Sequence, residues 1–507
     1  MLRLRPDSEP SRWAVLALLG VAQLMVVLDA TIVNIALPSA QRALGFSTDS
    51  RQWVITAYAL AFGSLLLLGG KLGDLFGRKW TFIAGLIGFA VASALGGLAQ
   101  SFGVLVAARA LQGAFGALLA PAALSLLTVT FEGSPDRSKA FGIFGAIAGG
   151  GASIGLILGG ALTQTLSWRW CLYVNLVIAV PAAVFAVRLL VNQGHPERPR
   201  IDVPGVLIAS AGLFLLVYGF SNAETHSWTA PITIIAIAVS VVLMALFVRI
   251  ERRTSDPLLP MHIVWDRARG GAYATIALSG SGVFGVFLFL TFYMQQNLGF
   301  APLRSGLAFL PMTGMIILSA AIVQTKLLDR FGVKALITTG MALSIVAMLT
   351  FTRLTPDAGY IGHVLPGLLI IGLGMGCIFA PAFGTATLGV DRHDAGVASA
   401  MVNTSQQVGG SVGTALLSTL FASAVTRYTT SHTGDADLRN AATIHGYTTA
   451  FWWATAIFVI GLLVAATVLP SSRQPVAQPS PAAPREERDG ETASTGHAPV
   501  PLGRTRK

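Results

Sequence analysis

Two ionisable side chains, Asp29 and Arg109, lie deep inside long apolar stretches of this chain. Each is eight residues from one end of its stretch, taken at Leu37 and at Ser101, which corresponds to a depth of roughly 12 Å in a helix. Burial favours the neutral form of a carboxylic acid, whereas a nearby guanidinium favours the charged form. Such a pair is therefore suited to binding and releasing a proton. The alternative is a static ion pair that only fixes the packing of its helices.

Other polar residues accompany this pair. Arg109, Gln112 and Gly113 are spaced i, i+3 and i+4 and so share one helix face, on which the Gln112 amide can hydrogen-bond. Amides within lipid must face protein or water, so such side chains either line a cavity or bind neighbouring helices. The candidates for cavity lining are Asn34, Gln112, Tyr293, Gln295, Gln296, Asn403, Gln406 and Gln407.

The surrounding stretches are those of a polytopic membrane protein. Of the 507 residues, 53% are hydrophobic and only 11% are charged, whereas a soluble globular protein carries about 25% charged residues. About 20 apolar residues cross a bilayer as a helix, and runs of this length in lipid are helices. We predict an all-α membrane fold with fourteen spans, at 12–37, 52–72, 80–99, 102–128, 139–163, 171–191, 204–221, 229–249, 270–292, 305–326, 334–351, 361–385, 394–424 and 448–469.

The distribution of basic residues predicts the topology. With the N-terminus inside, 26 of the 34 lysines and arginines fall in inner segments and seven in outer ones, as the positive-inside rule expects. Both termini, including residues 1–11, are therefore predicted to lie on the cytoplasmic side of the cytoplasmic membrane. The first apolar stretch is too long for the core of a signal peptide. The Pro-, Ala- and Arg-rich segment 470–507 is expected to be a disordered tail.

Several classes of function are excluded by what the chain lacks. The net charge is +11, but the basic residues stand between apolar runs instead of forming a patch, which argues against nucleic-acid binding. Cys171 and Cys377 are far apart in apolar runs and predict neither a disulfide nor a metal site. The sequence has no phosphate-binding loop and no nucleophile motif. We therefore expect no enzymatic activity, no cofactor and no metal.

An internal repeat predicts a chain built from two related halves. Residues 70–79 read Gly-Lys-Leu-Gly-Asp-Leu-Phe-Gly-Arg-Lys and residues 326–334 read Lys-Leu-Leu-Asp-Arg-Phe-Gly-Val-Lys. Both contain Leu-x-Asp-x-x-Gly, and repeats of this kind mark transporter folds. We predict two six-helix bundles, 12–191 and 270–469, joined by a linker, 192–269, that carries inserted helices 7 and 8. The candidates for a conformational switch in the two copies are Gly70, Asp74, Gly77, Arg78 and Asp329.

Three blocks resemble the fourteen-helix drug:proton antiporters of the major facilitator superfamily. They are the run from Leu28 to Pro38 in the first span, the loop from Gly70 to Lys79, and Arg109-Ala110-Leu111-Gln112-Gly113 in the fourth span. The similarity covers the whole chain except the tail. It implies proton-driven export of small lipophilic compounds, with Asp29 and Arg109 in proton coupling. The partners that it implies are a small-molecule substrate, protons and the lipid bilayer, and we expect a monomer.

The fifth span departs from this family. Its antiporter motif has the form Gly-x-x-x-Gly-Pro-x-x-Gly-Gly, and here Gly151, Gly155, Gly159 and Gly160 are present but Leu156 replaces the proline. Because proline kinks a helix, we expect the usual bend to be altered. With Gly145 and Gly149 these glycines are expected to form a small-residue seam along which the halves slide. An importer or uniporter of a small metabolite on the same fold is the alternative, and Leu156 is its best support.

Overall fold

A computed structural model of the protein describes residues 11–46, 52–191, 202–225, 227–254, 257–356, 358–391, 394–432 and 438–471. Most of the predicted N-terminal segment and of the predicted tail lies outside these residues. Within the described ranges the secondary structure is helical, with no strand. The helices are α1 Arg12–Leu44, α2 Gln52–Phe76, α3 Arg78–Gly97, α4 Phe102–Thr130, α5 Arg137–Thr165, α6 Trp170–Leu189, α7 Val203–Thr225, α8 Pro231–Glu251, α9 Met261–Trp265, α10 Arg267–Phe292, α11 Pro302–Ala308, α12 Leu310–Ile322, α13 Leu328–Phe351, α14 Leu365–Ala386, α15 Ala395–Ser431 and α16 Leu438–Val468.

Thirteen stretches of the described residues are long and apolar enough to cross a membrane. One of them, Leu303–Phe351, has 49 residues, which is more than twice the length that a bilayer requires. It is broken at Gly332, whose φ of 77° and ψ of 166° are not helical. This stretch therefore crosses twice, once through α12 and its π-helical extension Val323–Leu327 and once through α13. The prediction of fourteen crossings is confirmed.

The predicted internal repeat is visible in the backbone. Gly77 separates α2 from α3 with a φ of 90°, and Gly332 interrupts the second copy with a φ of 77°. Both values lie in the region that glycine reaches without a steric penalty. The Leu-x-Asp-x-x-Gly motif thus makes the same sharp connection in each half, which supports a fold of two related bundles plus an inserted pair. The domain boundaries near 191 and 269 stay a prediction.

Three helices of the first half contact the second half. Helices α2 and α4 pack against α15, and α5 packs against α11, α12 and α14. The inserted helices α7 and α8 pack on each other, and α7 also contacts α2 and α15. We call the end of the bundle at which α1 begins and α2 finishes the basic end, after Lys71, Arg78 and Lys79, which lie there.

The glycines of α5 divide between two faces. Gly151, Gly155 and Gly159 face α1, because a Cβ on each would meet Val27, Thr31 or Ile32. The expectation that they form a seam between the halves is wrong for these three, because α1 belongs to the same half.

The other predicted glycines of α5 do face the second half. Cβ atoms there would meet Ala380 of α14 from Gly145, Phe379 of α14 from Gly149, and Leu303 of α11 from Gly160. Close contact with the second half is thus made by a different face of α5. Helix α5 is continuous from Arg137 to Thr165 through the buried Leu156.

Candidate functional site

The Asp29 carboxylate lies at the centre of a buried polar network. Its Oδ2 accepts a hydrogen bond from Arg109 Nη1 at 2.6 Å. Its Oδ1 accepts from Gln112 Nε2 at 3.1 Å and from Asn175 Nδ2 at 2.7 Å. All four side chains are at most 1% exposed. The sequence prediction that Asp29 and Arg109 meet is confirmed by this geometry.

The Arg109 guanidinium is held from several sides. Its Nε donates to the carbonyl oxygen of Val54 at 3.2 Å, and Nη1 also donates to Gln112 Oε1 at 2.9 Å. The ring of Tyr58 lies against the guanidinium, with 4.4 Å between Cζ and the ring centroid. Such a cation–π contact gains strength where water is excluded. Helix α2 thus supplies both a carbonyl and an aromatic face to the cation.

The network joins five helices of the first half. Asp29 is on α1, Val54 and Tyr58 are on α2, and Arg109 and Gln112 are on α4. Helix α3 adds Ser93, whose hydroxyl accepts from Gln112 Nε2 at 2.7 Å, and α6 adds Asn175. The ion pair is therefore connected by hydrogen bonds to all five helices.

Sequence reasoning missed Tyr58, Ser93 and Asn175. Each is a polar residue inside an apolar span, which is the signal that could have found them. None of these residue types is charged near neutral pH, so reasoning from buried charges did not select them.

Chemically, this arrangement holds the Asp29 carboxyl group by three N–H donors. One donor belongs to the Arg109 cation, and the other two are the amides of Gln112 and Asn175. Hydrogen bonds to an ionised group are shorter and stronger than neutral ones. One carboxyl group thus joins α1 to α4 and to α6.

A second cluster closes the basic end. Asp74, 1% exposed, accepts from Arg78 Nη2 at 3.2 Å and from the backbone N–H of Gly396 at 3.1 Å. Gly396 lies in the first turn of α15, whose N-cap residue Asp394 makes no side-chain capping bond. Asp74 thus caps a helix of the other half, where the dipole favours a negative charge.

The absence of a side chain at Gly70 allows α2 to approach α15 closely. A Cβ on Gly70 would meet the carbonyl oxygen of Gly396 at 2.6 Å and the Cβ of Ala400 at 2.7 Å. Gly73, in the same motif, has nothing within 4 Å of its Cβ position. Gly70 is therefore required for contact between α2 and α15, and Gly73 is not.

A second bridge across the basic end was not predicted. Arg137 Nη2 at the start of α5 donates to Thr387 Oγ1 at 3.3 Å, just after the end of α14. The Arg137 guanidinium also lies over Phe141, 4.6 Å from the ring centroid. The two halves are therefore tied at this end both through α2 and α15 and through α5 and α14.

Asp329 does not repeat the role of Asp74. Its side chain is exposed, and among the described residues it has no side-chain hydrogen bond or ion pair. No helix terminus of the first half faces it as Gly396 faces Asp74. A switch role for Asp329 stays a prediction, and its motif glycine, Gly332, keeps the repeat's turn.

A profile of the Major Facilitator Superfamily matches residues 19–414. The chain belongs to the Major Facilitator Superfamily. Within the superfamily it is 44% identical over 485 residues to the puromycin resistance protein of Streptomyces alboniger, covering 94% of this chain and 96% of that protein.

Two further members carry related names. The chain is 36% identical to the cephamycin export protein of Amycolatopsis lactamdurans, over 90% of this chain and 92% of that protein. It is 35% identical to the tetracenomycin C resistance and export protein of Streptomyces glaucescens, over 82% and 76%. The crystal structure of the human organic anion transporter MFSD10 matches with a TM-score of 0.59 and 16% identity, over 90% of this chain and all of that one. That likeness supports the superfamily fold.

The predicted cavity residues of this superfamily member have several environments. Gln112 is fully buried in the Asp29 network, and Tyr293 is buried with its hydroxyl donating to the carbonyl oxygen of Ala358 at 2.9 Å. Neither lines an open cavity here, because both side chains are enclosed by protein. The Asn34 side chain lies outside the described residues.

The remaining candidates lie nearer to accessible space. Gln296 is exposed and Gln295 is half-buried at the end of α10. On α15, Asn403 is buried with its amide donating to Ser399, whereas Gln406 and Gln407 are half-buried. The Gln407 side chain faces Gly63 of α2, at 3.1 Å from the Cβ position. Gln407 is thus the predicted residue nearest to the contact between the halves.

Proposed function

We propose that this protein exports small lipophilic compounds, drugs or antibiotics, across the cytoplasmic membrane by alternating access, driven by the proton gradient. The observation that carries the proposal is the buried Asp29–Arg109 pair with its amide partners. The names of the relatives support the export of antibiotics, since they include resistance and export proteins. Transport, and not enzymatic catalysis, is the function proposed.

Proton coupling follows from the electrostatics of Asp29. In the described state three N–H donors, one of them on the Arg109 cation, bind its oxygens. If α1 moves away from α4 during the transport cycle, the carboxyl loses Arg109 and its burial favours protonation. Proton binding and helix movement are then two sides of one equilibrium.

The orientation comes from the distribution of charge. Because positive residues favour the cytoplasmic side, we assign the basic end to the cytoplasm, with both termini there. The contacts of Asp74 with Gly396 and of Arg137 with Thr387 close this end. The described conformation is then one in which the cytoplasmic entrance is shut, and transport requires both contacts to break. We propose that one chain suffices as the transporting unit.

The proposed substrates are neutral or carry one positive charge. Moving a cation into a low-dielectric site requires a carboxylate that offsets the loss of hydration. Among the described residues of the second half, each Asp or Glu lies in a loop or in the first turn of a helix, as Asp329 and Asp394 do. Asp29 alone is deep in the bundle, and its charge is already matched by Arg109.

An importer or uniporter is the second candidate. One observation favours it, the replacement of the motif proline by Leu156 in the continuous helix α5. The names of the relatives point the other way, so we rank it second.

One experiment separates these functions. Cells of a pump-deficient host are loaded with a fluorescent lipophilic dye, with and without the transporter, before and after a protonophore. Proton-driven export predicts lower accumulation that rises to the host level when the gradient collapses. Higher accumulation would indicate an importer, and lower accumulation that the protonophore leaves unchanged would contradict proton coupling.

A further inference from the structure

Two buried carboxyl groups meet where the inserted helices reach the basic end. Asp202 precedes α7 and is 9% exposed, and Glu251 is the last residue of α8 and is 3% exposed. They lie outside the Asp29 network and outside the contacts that close the basic end. Neither has an ion pair among the described residues, although buried carboxylates normally have one.

Each acid uses one oxygen to cap a backbone segment. Asp202 Oδ1 accepts from the N–H of Gly205 at 3.0 Å, as an N-cap residue does. Glu251 Oε2 accepts from the N–H of Leu259 at 3.1 Å, in the segment that follows α8. These bonds fix both carboxyl groups in place and leave one oxygen of each for another partner.

The two remaining oxygens face the same small space. A Cβ built on Gly205 would meet both Asp202 Oδ2 and Glu251 Oε1. Both atoms are buried, and neither has a hydrogen-bond partner among the described residues. Two carboxylates cannot hydrogen-bond to each other unless one of them carries a proton.

The neighbouring charged groups do not remove the need for a proton between the two carboxyl groups. Glu251 is buried, and the groups that face its carboxyl group are Asp202 and the backbone N–H groups of Leu258 and Leu259. The Lys71 ammonium donates to the carbonyl oxygen of Pro257 instead, at 3.1 Å. The other titratable or charged groups of the described elements around the pair are Arg249, Arg252 and Arg253 on or after α8, His262 on α9, Asp74 on α2 and Asp394 before α15.

We propose that Asp202 and Glu251 share one proton and form a second proton-binding site, at the base of the inserted helix pair. The proton lies between Asp202 Oδ2 and Glu251 Oε1, and Gly205 leaves the room for it. Like charges this close in a dry site cannot both ionise without a large penalty. A proton can bind at this site whichever substrate is transported and in whichever direction.

The site is linked to the closed basic end through a short path. Glu251 holds Leu259, and two residues earlier the carbonyl of Pro257 holds Lys71 on α2. Lys71 stands between Gly70 and Asp74, which contact α15. Loss of the proton adds a negative charge that pushes α7 from α8, and so loosens the segment that binds Lys71.

Infrared spectroscopy of the purified full chain in lipid nanodiscs tests the site directly. At neutral pH a protonated carboxyl group has a C=O stretching band that shifts in D2O. We expect such a band in the wild type and in an Asp29→Asn, Asp74→Asn double variant, and its loss in Glu251→Gln and in Asp202→Asn. Absence of the band from the double variant, or its persistence in both single variants of the pair, would overturn the proposal.

Thermal unfolding gives a second, independent readout. Raising the pH from mildly acidic to neutral should lower the melting temperature of the wild type, because the folded state keeps a shared proton that both carboxyl groups lose on unfolding. Glu251→Gln keeps a donor in place of the proton and should lose most of this pH dependence, whereas Asp391→Asn, an exposed carboxylate, should retain it. Equal pH dependence in the wild type and in Glu251→Gln would contradict a shared proton.

Discussion

Asn175 on α6 donates a hydrogen bond of 2.7 Å to Asp29 Oδ1 on α1. Arg109 of α4 binds the other oxygen, Oδ2, so the carboxylate is held between an amide and a cation. The contact ties the sixth helix of the first half to its ion pair. A neutral residue thereby helps to fix the position of the Asp29 carboxyl group.

Replacement of Asn175 by Ala should slow proton-driven export. The change removes one of the three donors to the Asp29 carboxyl group, and a hydrogen bond to a charged group contributes about 1.5–3 kcal/mol. The measurement is the initial rate of dye efflux from energised vesicles. Ser125→Ala, a buried hydroxyl on α4 outside the network, is the control, and an unchanged rate in Asn175→Ala would contradict the assignment.

Asp29→Asn should abolish proton-driven export while the protein remains in the membrane. An amide is nearly the size of the carboxyl group but cannot bind and release a proton in this range. The minimum inhibitory concentration of a lipophilic drug should fall to that of the host without the transporter. Asp391→Asn at equal expression is the control for loss of a carboxylate, and full resistance with Asp29→Asn would disprove the role.

The two copies of the repeat motif should respond differently to the same change. Asp74→Asn removes the charge that caps α15 and should lower export, whereas Asp329→Asn changes an exposed side chain and should leave export close to wild type. Ala400 is buried against Gly70. The thiol of an Ala400→Cys variant should therefore react faster with a maleimide in the Asp74→Asn background. Both native cysteines are buried. Equal effects of the two substitutions would show that Asp329 has a role in another state.

Gly155→Ala should destabilise the contact between α5 and α1. The added Cβ would meet Thr31 Oγ1 and would stand 3.0 Å from the carbonyl oxygen of Leu28, and overpacking of this kind costs about 1–3 kcal/mol. A lower melting temperature in detergent is the expected result. Gly314→Ala, with nothing within 4 Å of its Cβ, is the matched control on α12 and should unfold like the wild type.

Dications should be poor substrates. With Asp29 paired to Arg109, no second deep carboxylate among the described residues offsets another charge. A panel of matched mono- and dicationic dyes in a pump-deficient host measures the resistance that the transporter confers on each. We expect at least about a tenfold difference, equivalent to 1.4 kcal/mol. Strong resistance to the dications, retained in Asp29→Asn, would require another acidic site.

Much of this site could be predicted because charged residues and the spacing of motifs can be read directly from the sequence. Asp29 and Arg109 stand at matching depths in apolar spans, and the repeated motif gave Gly77 and Gly332 the same turn. The partners of the pair could not be predicted in the same way. A serine or an asparagine in an apolar span can hydrogen-bond to many different groups, so the residue type does not predict which neighbour it binds.

Asp329 marks a different limit. The motif around it matches that around Asp74, but the role of Asp74 depends on a helix terminus that lies 322 residues further along the chain. A local pattern carries no information on such a distant partner. The glycines of α5 are the opposite case. Gly151, Gly155 and Gly159 recur every four residues, and this spacing already separates their face from that of Gly145, Gly149 and Gly160.

The cap that Asp74 places on α15 makes one amide a natural reporter of the transport cycle. While the basic end is closed, the Gly396 N–H is buried and hydrogen-bonded to a side chain from the other half. When that end opens, the same N–H loses its acceptor and meets water. Its rate of hydrogen–deuterium exchange should therefore follow the fraction of molecules that are open, in an unmodified protein and without any attached probe.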